Sequence, residues 1–119
     1  MQNNRSKGSE YEDDACRFLI DQGYRILERN FRTRSGEIDI IASDKEYTVF
    51  VEVKYRKTLK TGYPSEAVTL SKQKKIINTS VYYLYIKHKT NCNIRYDVIE
   101  IIGDSTINHY KNAFGGGII

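Results

Sequence analysis

Asp39, Glu52 and Lys54 are the residues of this chain whose types and spacing best fit a chemical task. Asp39 lies in the run Glu37 to Ala42, and Glu52 and Lys54 lie in the run Tyr47 to Tyr55. Both runs are rich in Ile and Val, and the polar stretch Ser43-Asp44-Lys45-Glu46 between them predicts an antiparallel hairpin. If its partners are paired so that their residue numbers sum to 91, Ile38, Ile40 and Ala42 oppose Val53, Val51 and Val49, and one face is wholly apolar. The other face then sets Glu37 against Lys54, Asp39 against Glu52, and Ile41 against Phe50. A slip of one residue would turn the apolar face of one strand toward the mixed face of the other, which burial opposes.

Carboxylates directly opposed in a sheet have Cβ atoms roughly 4.5–5.5 Å apart and repel one another. Relief can come from Lys54 on the same face, or from a divalent cation such as Mg²⁺, which takes carboxylates together with water and phosphate oxygens. That set suits metal-assisted phosphodiester hydrolysis. The ion polarises a phosphoryl oxygen and lowers the pKa of the attacking water, while Lys54 stabilises charge on phosphorus or orients the nucleophile. The competing reading is a solvated sheet face with ion pairs such as Glu37–Lys54, each worth little. An isolated Glu-x-Lys is unsurprising in a chain with eight Glu and eleven Lys; the weight lies in an Asp in register on the neighbouring strand.

The elements that must position these residues are legible around them. Ser9-Glu10-Tyr11-Glu12 has the form of a capping box, and Ala15, Phe18 and Leu19 follow at helical spacing up to Gly23, predicting a helix from about Glu10 to Gln22. Glu12 has two readings: it closes the helix start, or it is aimed at the carboxylate cleft. Tyr24 to Phe31 alternates unevenly, as an edge strand does. After a basic loop, Arg56 to Gly62, and a turn at Pro64-Ser65-Glu66, Thr69 or Ser71 can cap a helix running to about Lys87. Its inward stripe is Ile76, Ile77, Ser80, Tyr83 and Leu84, extended one turn by Gln73, which would face the sheet and orient a phosphate, a water or Glu52. Arg95 to Ile102 reads as a strand parallel to Tyr47 to Tyr55, since a helix between two strands is the form of a crossover. Ser105 to His109 adds a short strand, and residues 115–119, with their three glycines, read as a flexible tail like residues 1–7. The order α-β-β-β-α-β-β indicates an α/β fold, a mixed sheet flanked by helices, in one domain of 119 residues.

Composition narrows the function classes. No apolar run approaches the ~20 residues of a membrane helix, and Met1 to Lys7 has no signal-peptide centre, so a cytoplasmic chain without membrane contact is expected. Cys16, Cys92, His88 and His109 are too few and too scattered for a zinc site or a disulfide scaffold, so any metal must be held by oxygen. The net charge is only +4, but ten of the nineteen cations fall in three acid-free groups: Arg29, Arg32 and Arg34; Lys54, Arg56, Lys57 and Lys60; Lys72, Lys74 and Lys75. Such clustering is the footprint of a phosphate backbone, although solvated loop edges produce it too.

The blocks Gly36-Glu37-Ile38-Asp39-Ile40-Ile41-Ala42, Val49-Phe50-Val51-Glu52-Val53-Lys54-Tyr55-Arg56 and Glu66-Ala67-Val68-Thr69 with Lys72-Gln73 resemble the YraN-type family of small bacterial proteins. Weaker markers, including Gly23-Tyr24-Arg25-Ile26-Leu27, Arg95-Tyr96-Asp97-Val98 and Asn112-Ala113-Phe114, extend the resemblance from about Gly8 to Phe114. It implies a restriction-endonuclease-like fold of the PD-(D/E)XK group, similar to Holliday-junction resolvases. It further implies Asp39 and Glu52 as ligands of Mg²⁺ or Mn²⁺, Lys54 as the catalytic lysine, and Glu12 and Gln73 as supporting catalytic residues. One departure is Tyr11, where the family usually has Gly; a bulky side chain there alters access to Glu12. The expected function is a metal-dependent DNA endonuclease acting on branched or otherwise structured DNA, with Arg32, Arg34, Arg56, Lys57 and Lys72 on the phosphates. The alternative is a non-catalytic nucleic-acid-binding adaptor for another DNA-processing protein. Symmetrical cutting of a junction would require a homodimer.

Overall fold

The computed structural model describes residues 7–57, 68–89, 91–103 and 106–118. Their elements are α1 (Lys7–Asp21), β1 (Arg25–Thr33), β2 (Gly36–Asp44), β3 (Tyr47–Arg56), α2 (Leu70–Ile86), β4 (Asn93–Ile102) and β5 (Thr106–Ile118). The strands form one sheet in the order β1-β2-β3-β4-β5, antiparallel throughout except for the parallel pair β3–β4. The expected mixed sheet flanked by two helices, in the order α-β-β-β-α-β-β, is what the chain forms. Lys60 and the turn at Pro64-Ser65-Glu66 lie outside the described residues. Among the described residues no helix is long and apolar enough to cross a membrane.

Apolar residues on both faces explain why β3 and β4 read as nearly continuous hydrophobic runs. On one face Ala15, Cys16 and Leu19 of α1 pack on Ile40, Ala42, Val49, Val51, Ile99 and Ile101. On the other, Ile76, Tyr83 and Leu84 of α2 pack on Ile41, Phe50, Tyr96 and Val98. Thr69 caps α2, its hydroxyl accepting the Lys72 N–H at 3.1 Å. The buried stripe of α2 includes Thr79 where Ile77 was expected, and Ile77 is only partly buried. Gly36, at φ 153°, explains the difference: the β1–β2 turn closes onto α2 so tightly that a Cβ there would lie 3.2 Å from Lys75 Cβ and 3.5 Å from Thr79 Oγ1.

Three expectations are corrected. The first helix begins at Lys7, so Ser9 is inside it and cannot be the N-cap; the capping-box role of Glu12 falls with it. The final strand is thirteen residues long, and the glycines expected in a free tail belong to it, with Gly117 opposite Ile94 and Ile118 opposite Asn93. Packing rather than turn chemistry decides this. Phe114 stacks on Tyr96 with centroids 5.2 Å apart, and a Cβ on Gly115 would approach Ile77 Cδ1 to 3.0 Å, so a glycine there permits close approach to α2. Finally, Glu37 does not pair with Lys54: it meets Arg32 of β1, Nε to Oε2 at 3.2 Å, because β2 follows β1 at this end of the sheet.

Candidate active site

The β2–β3 ladder has the expected register from Asp44–Tyr47 to Ile40–Val51 and stops there, one step before Asp39 and Glu52. Beyond that step the Val53 N–H donates to Asp39 Oδ2 at 2.8 Å, so a side chain takes the place of a ladder carbonyl. The alternation of β2 also breaks at Asp39. Ile40 and Ala42 share one face as expected, which α1 covers, but Ile38 packs with Ile41 and Phe50 on the α2 side, which corrects the wholly apolar face. Across from Asp39, between the pairs Arg29–Ile40 and Phe31–Ile38, Asn30 of β1 adopts φ 52°, a conformation asparagine tolerates better than most residues.

The two acids therefore stand where β2 and β3 part, on a cleft of about 420 Å³ lined by Tyr11, Glu12, Asp39, Glu52, Val53, Lys54, Tyr55 and Lys72. The first half of α1 brings Glu12 and Tyr11; the first turn of α2 brings Lys72. Tyr11 does not close the cleft over Glu12 alone: its ring stacks on Tyr55 with centroids 4.2 Å apart and planes 4° apart.

Charge in the cleft is unevenly satisfied. Glu52 is buried, and its Oε2 meets Lys72 Nζ at 3.1 Å and Lys54 Nζ at 3.4 Å. For Lys72 burial opposes the charged form, but Glu52 outweighs it and holds the ammonium above its usual range. Asp39 makes no ion pair of this length among the described residues, and the charge of Lys72 acts on it only weakly. Burial first, and then the charge of Glu52, push its carboxyl up to about 7 against the pull of the Val53 N–H. Burial likewise raises Glu12, despite a hydrogen bond from Asn30 and the charge of Arg29. Glu12 Oε1 is buried without a hydrogen-bond partner; Arg29 stands 3.8 Å away and is committed to Asp13 at 2.8 Å.

Among the described residues no three His, Cys, Asp or Glu side chains converge as a ready metal cage. What fits a hard divalent ion is the donor chemistry: two oxygen donors, Asp39 and Glu52, on an open cleft, with surplus buried negative charge and an orphaned oxygen on Glu12 behind them. Mg²⁺ commonly binds through one or two carboxylates and keeps several waters, so this pair suffices.

This electrostatic excess has a thermodynamic consequence. A carboxyl whose folded pKa is raised from 3.8 to about 7 binds more protons in the native state between those values, so its contribution to stability is lost as pH rises from about 4 to 7. Without metal, Asp39→Asn should flatten that loss and stabilise the protein at pH 8 by about 1–3 kcal/mol. Denaturant melts of both proteins across this pH range, in a chelating buffer, measure it; parallel curves would remove the strain from Asp39.

The remaining predicted residues are distributed more widely. Gln73 is not among the residues lining the cleft: its Nε2 donates to the Val68 carbonyl at 2.9 Å and clasps the segment entering α2. Arg56 places Nε 2.7 Å from Oε2 of the buried Glu100, an anchor inside the fold. Arg32, Arg34 and Lys57 are exposed, with Arg32 beside Glu37. Missed by the sequence reading was a second polar centre, built on the fully buried Asp97. It accepts from Arg95 Nε and Nη2, both at 2.9 Å, and from the Asn112 N–H at 2.9 Å, and lies 2.7 Å from His109 Nε2. The available signal was that Asp97 and Glu100 interrupt the apolar run from Tyr96 to Ile102, where buried acids need cations.

A model of the uncharacterised protein family UPF0102 matches residues 11–101, which carry every residue lining the cleft. Curated relatives bear the same family description. One from Clostridioides difficile is 46% identical, covering 94% of this chain and 99% of its own length. Another from Clostridium perfringens is 50% identical, covering 93% and 95%. A third, from Persephonella marina, is 47% identical over 91% and 92%. The likeness thus runs over nearly the full length of each sequence compared.

Proposed function

The chain belongs to the uncharacterised protein family UPF0102, and from the cleft it carries within the family's span we propose a metal-dependent DNA endonuclease of the resolvase-like type, hydrolysing phosphodiester bonds in branched or otherwise structured DNA. The observation that carries this reading is the meeting of Asp39, Glu52 and Lys54 in one cleft, where the buried Glu52 lies near enough to the half-buried Asp39 to raise its carboxyl. Repulsion of this kind is costly and is characteristic of sites where a ligand supplies the missing charge.

Asp39 and Glu52 would hold Mg²⁺ or Mn²⁺, which when bound supplies Lewis-acid polarisation of the phosphate and an acidified water. The chain's residues do the rest. The Val53 N–H fixes the Asp39 carboxylate, so the ligand is oriented before substrate arrives. Lys54 and Lys72, both on Glu52 Oε2, present ammonium groups to a phosphate entering the cleft. Lys54 stabilises charge developing on phosphorus, while Lys72 and the exposed Arg32, Arg34 and Lys57 hold the strand through its phosphates. Such contacts convey little base specificity.

The test is cleavage of single-stranded, duplex and four-way DNA with Mg²⁺ or Mn²⁺, beside calorimetric titration of the ions alone. Metal-dependent products, abolished in Asp39→Asn, support the reading. No cleavage of any of the three substrates, with salt-sensitive binding that survives Asp39→Asn, would replace it with a non-catalytic adaptor.

A further inference from the structure

Beyond the cleft, α2 leads to a second recess. From Ala67 to Tyr96 the chain contains no Asp or Glu, while Lys72, Lys74, Lys75, Lys87, Lys89 and Arg95 fall in that stretch. Within α2 itself the cations Lys72, Lys74 and Lys75 all lie in its first two turns, and its second half carries a half-exposed aromatic ring, Tyr82. Tyr82 and the β1–β2 turn residues Arg32, Thr33, Arg34 and Ser35 line a recess of about 360 Å³. That is within the roughly 300–1,000 Å³ typical of small-ligand sites.

Each part of the recess has a clear chemical character. Tyr82 is backed by Phe31, centroids 6.5 Å apart and planes 30° apart, and Phe31 is braced edge-on by Tyr83 at 5.2 Å. One aromatic face is therefore supported from below while the other is open. Arg34 is exposed and has no ion-pair partner among the described residues; Arg32 is shared with Glu37 at 3.2 Å. The turn itself is held: Thr33 Oγ1 accepts the Ser35 N–H at 3.0 Å and lies 3.5 Å from Thr79 Oγ1 of α2. A flat apolar platform beside an uncommitted guanidinium, with hydroxyls at the rim, is the combination that takes a base and its phosphate. Lys72 at the cleft and Tyr82 are ten residues apart on one helix, roughly 15 Å, or about four stacked nucleotides at about 3.4 Å each.

We infer that this recess binds one unpaired nucleotide of a DNA strand, its base stacked on Tyr82 and its phosphate on Arg34. The inference rests on the nucleic-acid part of the reading above and deepens it: the preferred DNA carries a single-stranded segment a few nucleotides from the position held at the cleft. A fully paired duplex cannot offer a base to Tyr82, so the recess discriminates between DNA structures without reading sequence.

The experiment is fluorescence anisotropy with a labelled oligothymidylate and a labelled duplex of equal length, in chelating buffer at low salt, so that no cleavage intervenes. Tyr82→Ala should weaken oligothymidylate binding by roughly tenfold while changing duplex binding less than about twofold, Arg34→Ala, which removes a phosphate contact, should weaken binding of both DNAs, and Tyr82→Phe should bind as the unmodified protein does. Thermal melts accompany each variant. Unchanged oligothymidylate binding in Tyr82→Ala overturns the inference, and so does an equal loss on both DNAs in that variant. If the unmodified protein binds neither DNA, the nucleic-acid function itself fails; if it binds both and only the Tyr82 effect is missing, that function stands and the recess does not.

Discussion

Glu52→Gln is expected to reduce metal-dependent DNA cleavage at least about a hundredfold while the protein remains folded. The substitution preserves volume but removes the charge that Lys54 and Lys72 share at 3.4 and 3.1 Å, and with it one of the two carboxylates on the cleft. Three effects combine. On the proposed mechanism a divalent ion would lose a charged ligand and Lys54 the contact that orients it, while Asp39 loses the like charge that, after burial, does most to raise its carboxyl. Titration calorimetry should therefore show weaker Mg²⁺ binding in the same variant that loses activity. Glu37→Gln is the matched control, since Glu37 is paired with Arg32 outside the cleft lining. Cleavage retained in Glu52→Gln would take this carboxylate out of the mechanism and leave its two lysines as a binding device.

The second large effect is on stability and arises elsewhere in the sheet. Asp97→Ala should cost about 3–5 kcal/mol, the usual consequence of removing one member of a buried charge network. Asp97 is fully buried, and burial alone would raise its carboxyl, but His109, Arg95 and the Asn112 N–H outweigh it and hold the pKa below the usual carboxylate range. Among the described residues its removal leaves Arg95 hydrogen-bonded to Asp44 at 3.1 Å and the Tyr24 hydroxyl at 2.7 Å, and it uncouples β4 from β5 at His109 and Asn112. Urea unfolding measures the loss. Asp14→Ala, which removes an exposed pair with Arg17, should change stability by less than about 1 kcal/mol. Similar losses for the two variants would show that the buried network contributes no more than a surface pair. The folded pKa of Asp97 is depressed, so its contribution is present above the unfolded value and disappears as pH falls through the folded one.

Much of the site was legible because its two carboxylates lie on adjacent strands joined by a short turn. Alternation in Glu37 to Ala42 and Tyr47 to Tyr55 is a period-two signal, and only one register buries both apolar sets, which is the register found between Asp44–Tyr47 and Ile40–Val51. The capping of α2 by Thr69 and the parallel placement of β4 beside β3 were readable for the same reason: each depends on residues near one another in sequence or on a crossover of fixed form. Glu12 was ambiguous because Ser9-Glu10-Tyr11-Glu12 satisfies a local capping pattern that the helix, starting at Lys7, does not use.

The order of elements, the hairpin register up to Ile40–Val51 and the gathering of Asp39, Glu52 and Lys54 at one place were thus determined by the sequence itself, through patterns that act over a few residues. Tertiary structure alone decided that β2 breaks its alternation at Asp39, that Lys72 reaches Glu52 from another element, and that Arg56 turns inward to Glu100. It also decided that the glycine-rich end packs beside α2. Each of these depends on where a helix or neighbouring strand comes to rest against the sheet. That placement follows from packing and charge satisfaction across the whole core, which no local periodicity records.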